Sequence, residues 1–163
     1  MTLRGRRVIL WILTALAGGI GAWSLLLPQH WYDTFPDGVA DGGLGQWILM
    51  DGAFNEHLIR DVGSMYLALA GAGVVAAVST SITAARVVAV AWIVFSAPHL
   101  VYHVAHLHGL PALDAVVEPI SLALTLVLPI PLLFPTSKRS PQSTPETTPK
   151  TSKIPKISKE ETR

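Results

Sequence analysis

The chain has 163 residues with a net charge of +1; 50% of its residues are hydrophobic and only 14% are charged. Soluble domains usually contain about 25% charged residues, so this composition excludes an ordinary soluble enzyme. The near-neutral net charge leaves no basic surface for phosphates, which excludes nucleic acid as a partner. Because the chain has no cysteine, disulfides, thiolate metal sites and cysteine nucleophiles are excluded too.

The first apolar segment, residues 8–27, has the length that a helix needs to cross a bilayer. Arg4, Arg6 and Arg7 precede it, as basic residues also precede the apolar region of a signal peptide. That region is usually ~7–15 residues long, shorter than this segment, and further apolar segments follow here. We therefore expect an uncleaved membrane-spanning helix.

A loop from Gln29 to Phe54 follows the first span and contains Asp-Gly turn signals. Trp31, Tyr32 and Phe35 lie at its start, where aromatic residues commonly mark a membrane interface. A short apolar stretch at residues 46–50 predicts one short helix within this loop. We expect the loop to be ordered by the membrane surface.

Three further apolar segments are predicted to cross the membrane, at residues 61–79, 87–107 and 115–134. Small residues at helical spacing in the first two spans predict that these two helices pack closely. Pro129 and Pro131 should loosen the last turn of the fourth span. Residues 1–135 are therefore predicted to form an all-α bundle of four transmembrane helices, with the lipid bilayer as its partner.

The positive charges predict the orientation of the chain, because basic flanking residues remain in the cytoplasm. The two loops on the opposite side, residues 28–60 and 108–114, contain a single basic residue, Arg60. We expect a multi-pass protein of the cell membrane with both termini cytoplasmic. The basic flanking residues are Arg4, Arg6, Arg7, Arg86, Lys138 and Arg139.

Residues 136–163 differ from the rest of the chain in composition. They are rich in Ser, Thr, Pro and Lys and contain no aromatic residue. Such a segment cannot bury enough apolar surface to fold, because the conformational entropy lost on ordering the chain exceeds the free energy gained from burial. We therefore predict a disordered cytoplasmic tail.

The second span opens with the pattern Arg-x-x-Gly-x-x-Tyr-Leu-Ala-Leu, from Arg60 to Leu69. This pattern, the chain length, the four spans and the two cytoplasmic termini resemble small bacterial four-helix membrane proteins of the DoxX-like kind. The resemblance covers one helix by motif and the four-span layout. It implies a four-helix bundle and a role as a membrane partner in redox or stress physiology. The histidines of the third span match nothing in that group, so no functional residue is carried over.

All six histidines are predicted to lie on the outer side, and three of them share one face of the third span. His99, His103 and His106 stand at positions i, i+4 and i+7. His99 would lie about 10 Å deeper in the membrane than His106. A polar ring at that depth needs a partner, because lipid offers none.

Partners for these histidines are expected at the same depth on neighbouring spans. His57 and Asp61 share a face of the second span, and Glu118 lies near the start of the fourth. In a bundle they would converge with the three histidines on one outward-facing pocket. Imidazole and carboxylate ligands suit Zn, Cu, Ni or Fe. The predicted metal ligands are His99, His103, His106, His57, Asp61 and Glu118.

Within this set, two of the three histidines of the third span would bind the ion, either His99 and His103 or His103 and His106. Asp61 or Glu118 would complete the site, or Asp61 would orient a ligating His57. The complete H-E-x-x-H motif and the Glu-x-x-His pairs of di-iron bundles are both missing.

The same residues also fit two other classes of function. The polar cluster also fits a structural or accessory subunit, in which it only packs the bundle or docks a membrane-protein partner or a second copy of the chain. Histidine also fits a membrane redox component that uses haem or quinone. No serine lies in a G-x-S-x-G context, and no substrate pocket can be inferred, so we do not expect an enzyme.

Overall fold

The computed structural model describes residues 1–39 and 43–135, and these residues form helices, turns and loops without a strand. The predicted tail, residues 136–163, lies outside the described residues. The helices are α1 (Leu3–Leu26), α2 (Pro28–Thr34), α3 (Trp47–Asp51), α4 (Glu56–Val78), α5 (Ile82–Ala105) and α6 (Asp114–Val127), followed by a 3-10 turn at Ile130–Leu133.

Four of these elements are long and apolar enough to cross a membrane: α1, α4, α5, and α6 together with the 3-10 turn. The predicted all-α class and the four spanning helices are therefore confirmed. The predicted loosening after α6 is confirmed as well. Pro129 and Pro131 have no N–H to donate to the helix, and regular α-helix ends at Val127.

Three of the spanning helices begin five residues before the apolar segments that predicted them. The side chain of Thr2 accepts a hydrogen bond from the Gly5 N–H, Asn55 accepts one from Leu58, and Ser81 accepts one from Ala84. Each cap satisfies a backbone N–H that has no partner inside the helix. The helix boundary thus follows the cap, whereas the apolar segment marks only the part that suits hydrocarbon.

The α1 and α4 helices pack with their backbones in close contact, as the small residues predicted. A Cβ atom added to Gly21 would lie 2.8 Å from the Gly63 carbonyl oxygen, and one added to Gly63 would lie 2.8 Å from the Leu25 nitrogen. No side chain fits at either position without moving a backbone. The apolar core continues from this contact through Leu10, Leu13, Ala76, Val88 and Trp92.

Arginine side chains tie the ends of the antiparallel helices together. The guanidinium of Arg6 is buried and donates from Nη2 to the Thr80 carbonyl oxygen at 2.8 Å, and Arg86 donates from Nε to Leu133 at 2.9 Å. These contacts place the start of α1, the end of α4, the start of α5 and the end of α6 at one end, here called the basic end. The opposite end, which carries α2 and α3, is called the loop end.

The loop end has a small aromatic core of its own. Trp31 and Tyr32 on α2 are buried against Ile59 on α4, and the rings of Phe35 and Trp47 meet edge to face at 5.9 Å. The short α3 corresponds to the helix predicted at residues 46–50. The α2 helix was not predicted, although Pro28 occupies a first-turn position where proline is favourable.

The close contact of α1 and α4 predicts opposite results for two glycines on one helix. Replacement of Gly63 by Ala should lower the free energy of unfolding by about 1–3 kcal/mol, because overpacking forces backbones apart. Gly71→Ala should leave it unchanged or raise it slightly, since nothing lies within 4 Å of the added Cβ. Denaturant titration in detergent micelles, followed by circular dichroism, measures both. Equal effects would show that the close contact does not govern stability.

Candidate functional site

A pocket of about 200 Å³ lies at the loop end, between the end of α5, the start of α6 and the α3 segment. Trp47, Met50 and Leu110 supply its apolar lining. Its polar lining consists of Asp51, Tyr102, His103, His106, His108 and Glu118. Imidazole and carboxylate groups thus meet at the end of a largely apolar bundle.

The deepest polar contact of the pocket joins α5 to α6. His103 Nδ1 lies 2.7 Å from Glu118 Oε1, and the two residues are only 8% and 4% exposed. Removal of either partner would leave the other polar group buried in apolar surroundings, which is strongly unfavourable. The pair therefore fixes both the spacing and the register of the two helices.

His106 lies directly after α5 and caps its end. Its Nδ1 lies 2.7 Å from the backbone carbonyl oxygen of Tyr102, and its ring stacks on the Tyr102 ring at 4.2 Å. A carbonyl oxygen only accepts hydrogen bonds, so the proton is on Nδ1. In the neutral ring, Nε2 then carries the lone pair. Glu118, when ionised, imposes the same tautomer on His103.

Asp114 holds the α3 segment against the start of α6. Its Oδ1 accepts hydrogen bonds from the Gly45 backbone N–H and from Trp47 Nε1, each at 2.8 Å, and the residue is only 3% exposed. Its place in the first turn of α6 suits a negative charge, because the helix dipole is positive there. Asp114 was not among the predicted site residues, although its i, i+4 spacing to Glu118 indicated it.

Asp51 ends α3 and lines the pocket opposite the two histidines of α5. Burial raises the pKa of the Asp51 carboxyl above its usual range, while nearby His103 and His106 act to lower it. Asp51 was not among the predicted site residues, because only the folding back of a long loop brings it to the pocket. No spacing within the sequence carries that signal.

The structure brings together only part of the predicted set. His103, His106 and Glu118 line the pocket. His99 lies deeper, where its ring stacks on Phe95 at 5.2 Å and meets the His103 ring edge to face at 4.7 Å.

The two predicted residues of α4 lie apart from this pocket. His57 Nε2 lies 3.3 Å from Asp61 Oδ2, and their side chains are 89% and 59% exposed. They face outward because Ile59 and Gly63, on another face of α4, are buried toward α1 and α2. Within residues 1–39 and 43–135, no three His, Asp or Glu side chains form a group that could hold a metal ion.

The polar face of α6 is a further feature that the sequence analysis missed. Polar residues stand at positions i, i+4, i+7 and i+11 of this helix, which places them on one face. The opposite face is apolar and exposed, as lipid contact requires. The polar residues are Asp114, Glu118, Ser121 and Thr125, and the exposed apolar ones are Val116, Ile120, Leu124 and Val127.

The two hydrogen bonds to Asp114 predict how the α3 segment opens. The Asp114→Ala variant should speed amide hydrogen exchange in residues 45–51 about tenfold or more, because it removes the acceptor of both bonds. Asp114→Asn keeps an accepting oxygen and should change exchange less. Mass spectrometry on protein in detergent measures both. Asp61→Ala, on the exposed surface, is the control; equal exchange in all variants would contradict the role of Asp114.

The buried pair of α5 and α6 predicts strong non-additivity. His103→Leu and Glu118→Leu should each lower the free energy of unfolding by about 3–5 kcal/mol, because each leaves one polar partner buried alone. The double variant should lose far less unfolding free energy than the sum of the two single losses, since two leucines leave no unpaired polar group buried. A double-mutant cycle in detergent measures the coupling. Additive losses would show that the two side chains act independently.

Comparison of the chain with protein-family models, with curated proteins and with solved structures gave no match. The resemblance to DoxX-like proteins therefore stays a prediction. The pocket itself brings together two imidazoles, each with Nδ1 at 2.7 Å from an oxygen atom, a buried carboxylate and a second carboxylate on the opposite wall.

Proposed function

We propose that this multi-pass membrane protein binds a divalent transition-metal ion in the pocket at its loop end, and that the pocket faces the outer side of the cell membrane. The observation that carries this proposal is the geometry of the two imidazoles. In both His103 and His106, Nδ1 lies 2.7 Å from an oxygen atom, which leaves Nε2 as the nitrogen that can bind a metal ion. Histidines that bind metals have this arrangement, with an outer carboxylate or carbonyl that orients the ring.

The charge of the pocket supports a cation as the ligand. Asp51 and Glu118 supply carboxylates, whereas the imidazoles are neutral when their Nε2 atoms carry lone pairs. Neutral imidazole and carboxylate are ligands that zinc, copper, nickel and iron accept. Glu118 serves as the orienting partner of His103, and Asp51 is the carboxylate on the facing wall.

Metal binding would draw the α3 segment toward α5. The described residues do not form a complete metal site, so Asp51 and His106 must approach His103 when the ion binds. The α3 helix is short, and Gly52 follows it with φ +151, a backbone conformation that favours glycine. A small movement of this segment therefore changes the distance between Asp51 and the two histidines.

The distribution of arginines supports the proposed orientation. Arg4, Arg6, Arg7 and Arg86 all lie at the basic end, which by the positive-inside rule is cytoplasmic. Arg60 at the loop end is paired with Glu56 at 2.7 Å and also donates to the Leu25 carbonyl oxygen. Both termini are then cytoplasmic and residues 136–163 form a cytoplasmic tail, as in the DoxX-like layout.

A second candidate function comes from another class of protein. The hydrogen bonds of His103, Glu118 and Asp114 join α5, α6 and the α3 segment, which is what a purely structural cluster in an accessory subunit requires. The haem or quinone alternative stays a prediction that a visible absorption spectrum tests.

Calorimetric titration of the detergent-purified protein with Zn²⁺ tests the proposal. We expect one ion per chain, and at least a tenfold weaker affinity in His106→Ala. His106 is exposed, so its replacement should not unfold the bundle. His57→Ala is the matched control: it also removes an exposed histidine from the loop end, but one that does not line the pocket.

Three outcomes are informative. Weaker binding in His106→Ala with unchanged binding in His57→Ala supports the pocket as the metal site. Equal binding by all three proteins places any bound zinc elsewhere. Failure of the folded wild type to bind Zn²⁺, Cu²⁺, Ni²⁺ or Fe²⁺ overturns the metal proposal and favours the structural cluster.

A further inference from the structure

The polar face of α6 continues below the pocket toward the middle of the membrane. Ser121 and Thr125 follow Glu118 on the same face of α6, and both are half-buried. Their hydroxyls donate to carbonyl oxygens of the same helix, Ser121 to Glu118 and Thr125 to Leu122, each at 2.7 Å. The lone pairs of both hydroxyl oxygens therefore remain able to accept further hydrogen bonds.

The facing helix continues the same polar surface. Ser96 lies seven residues before His103 and thus on the same face of α5, about 10 Å deeper. Because α5 and α6 are antiparallel and His103 meets Glu118, the residue that lies level with Ser96 is Thr125. We call this set the polar seam: His103, Ser96, Glu118, Ser121 and Thr125.

Ser96 is the residue of the polar seam whose hydroxyl is buried without a hydrogen-bond partner. It is only 1% exposed, and its hydroxyl oxygen has no hydrogen-bond partner among the described residues. A buried hydroxyl without a hydrogen-bond partner is unfavourable, because it has lost its hydrogen bonds to water and gained none in the protein. Polar groups at this depth are satisfied by protein or by water, because lipid hydrocarbon has no hydrogen-bonding groups.

The polar seam ends on an apolar layer. Trp92, one turn below Ser96, is 1% exposed, and Leu132 and Leu10 are fully buried in the same core cluster. Nothing polar on the inward face of α5 follows Ser96 toward the basic end, where Ala85, Val88 and Ala89 are buried. The polar surface thus extends from the pocket to about the middle of the bundle and stops there.

We infer that the polar seam is a hydrated half-channel, open to the outer side through the pocket and closed by Trp92, along which water and protons reach Ser96. Water hydrogen-bonded to Ser96, Ser121 and Thr125 would supply the missing partner of the Ser96 hydroxyl. This inference rests on the proposed orientation but does not require that a metal ion binds.

The chain contains no cysteine, so single cysteines can report water access without background. Ser96→Cys, Ser121→Cys and Thr125→Cys replace hydroxyl by thiol with little change in size. Silver ions applied to one side of oriented vesicles react with thiols that water reaches, because the thiolate forms only where it is hydrated. Free thiol is then counted after the protein is unfolded.

The lipid-facing residues of the same helix give matched controls at the same depth. Ile120→Cys and Leu124→Cys lie beside Ser121 and Thr125 in sequence but are exposed on the apolar face. Val88→Cys lies below the apolar layer. We expect silver from the outer side to block at least ten times more thiol in the three polar-seam variants than in these controls.

Each outcome decides the inference. Reaction of Ser121→Cys and Thr125→Cys from the outer side only, with unreactive controls, supports the half-channel even if Ser96→Cys does not fold. Reaction from both sides overturns the closure at Trp92, and reaction from the cytoplasmic side alone overturns the orientation. No reaction in any polar-seam variant overturns the half-channel. The zinc titration in detergent tests the metal proposal, and silver labelling tests the half-channel. Either proposal can therefore fail while the other stands.

Discussion

The contact of His103 with Glu118 is the interaction on which the rest of this structure depends. Two polar side chains are buried in an apolar bundle, where neither is acceptable without the other. Their 2.7 Å contact fixes the register of α5 against α6. Through that register it places Ser96 level with Thr125 and the pocket above both. The pocket and the polar seam are therefore two consequences of one pair.

The two halves of the bundle associate by different physical means. Glycines let the backbones of α1 and α4 touch, which gains dispersion contacts and leaves no room for side chains. The α5 and α6 helices are joined instead by the buried polar contact of His103 with Glu118. Because α4 turns Ile59 and Gly63 inward, His57 and Asp61 face outward and cannot join the pocket. The chemistry therefore concentrates at the α5–α6 contact.

The sequence was sufficient to predict the four spans and part of the site. Apolar length identifies a spanning helix, and the spacing of His103 and His106 places both at the end of α5. Which way α4 turns depends on its glycine contacts with α1, so the positions of His57 and Asp61 could not be inferred from their own spacing. Asp51 joins the pocket because Asp114 accepts hydrogen bonds at the start of α3 and Tyr32 donates one to Gly52 directly after it.

The pocket thus combines a fixed wall with one that is held less firmly. Its fixed wall is the pair of His103 and Glu118, buried between two long helices. Its other wall is the five-residue α3, which is held at its start by Asp114 and just past its end by a hydrogen bond from Tyr32 to Gly52. A few hydrogen bonds, each worth about 1–3 kcal/mol, hold such a short segment less firmly than the buried pair holds two long helices. A ligand can therefore rearrange α3 without disturbing the bundle. The long helices hold one side of the binding site in place, and the short segment adjusts to the ligand.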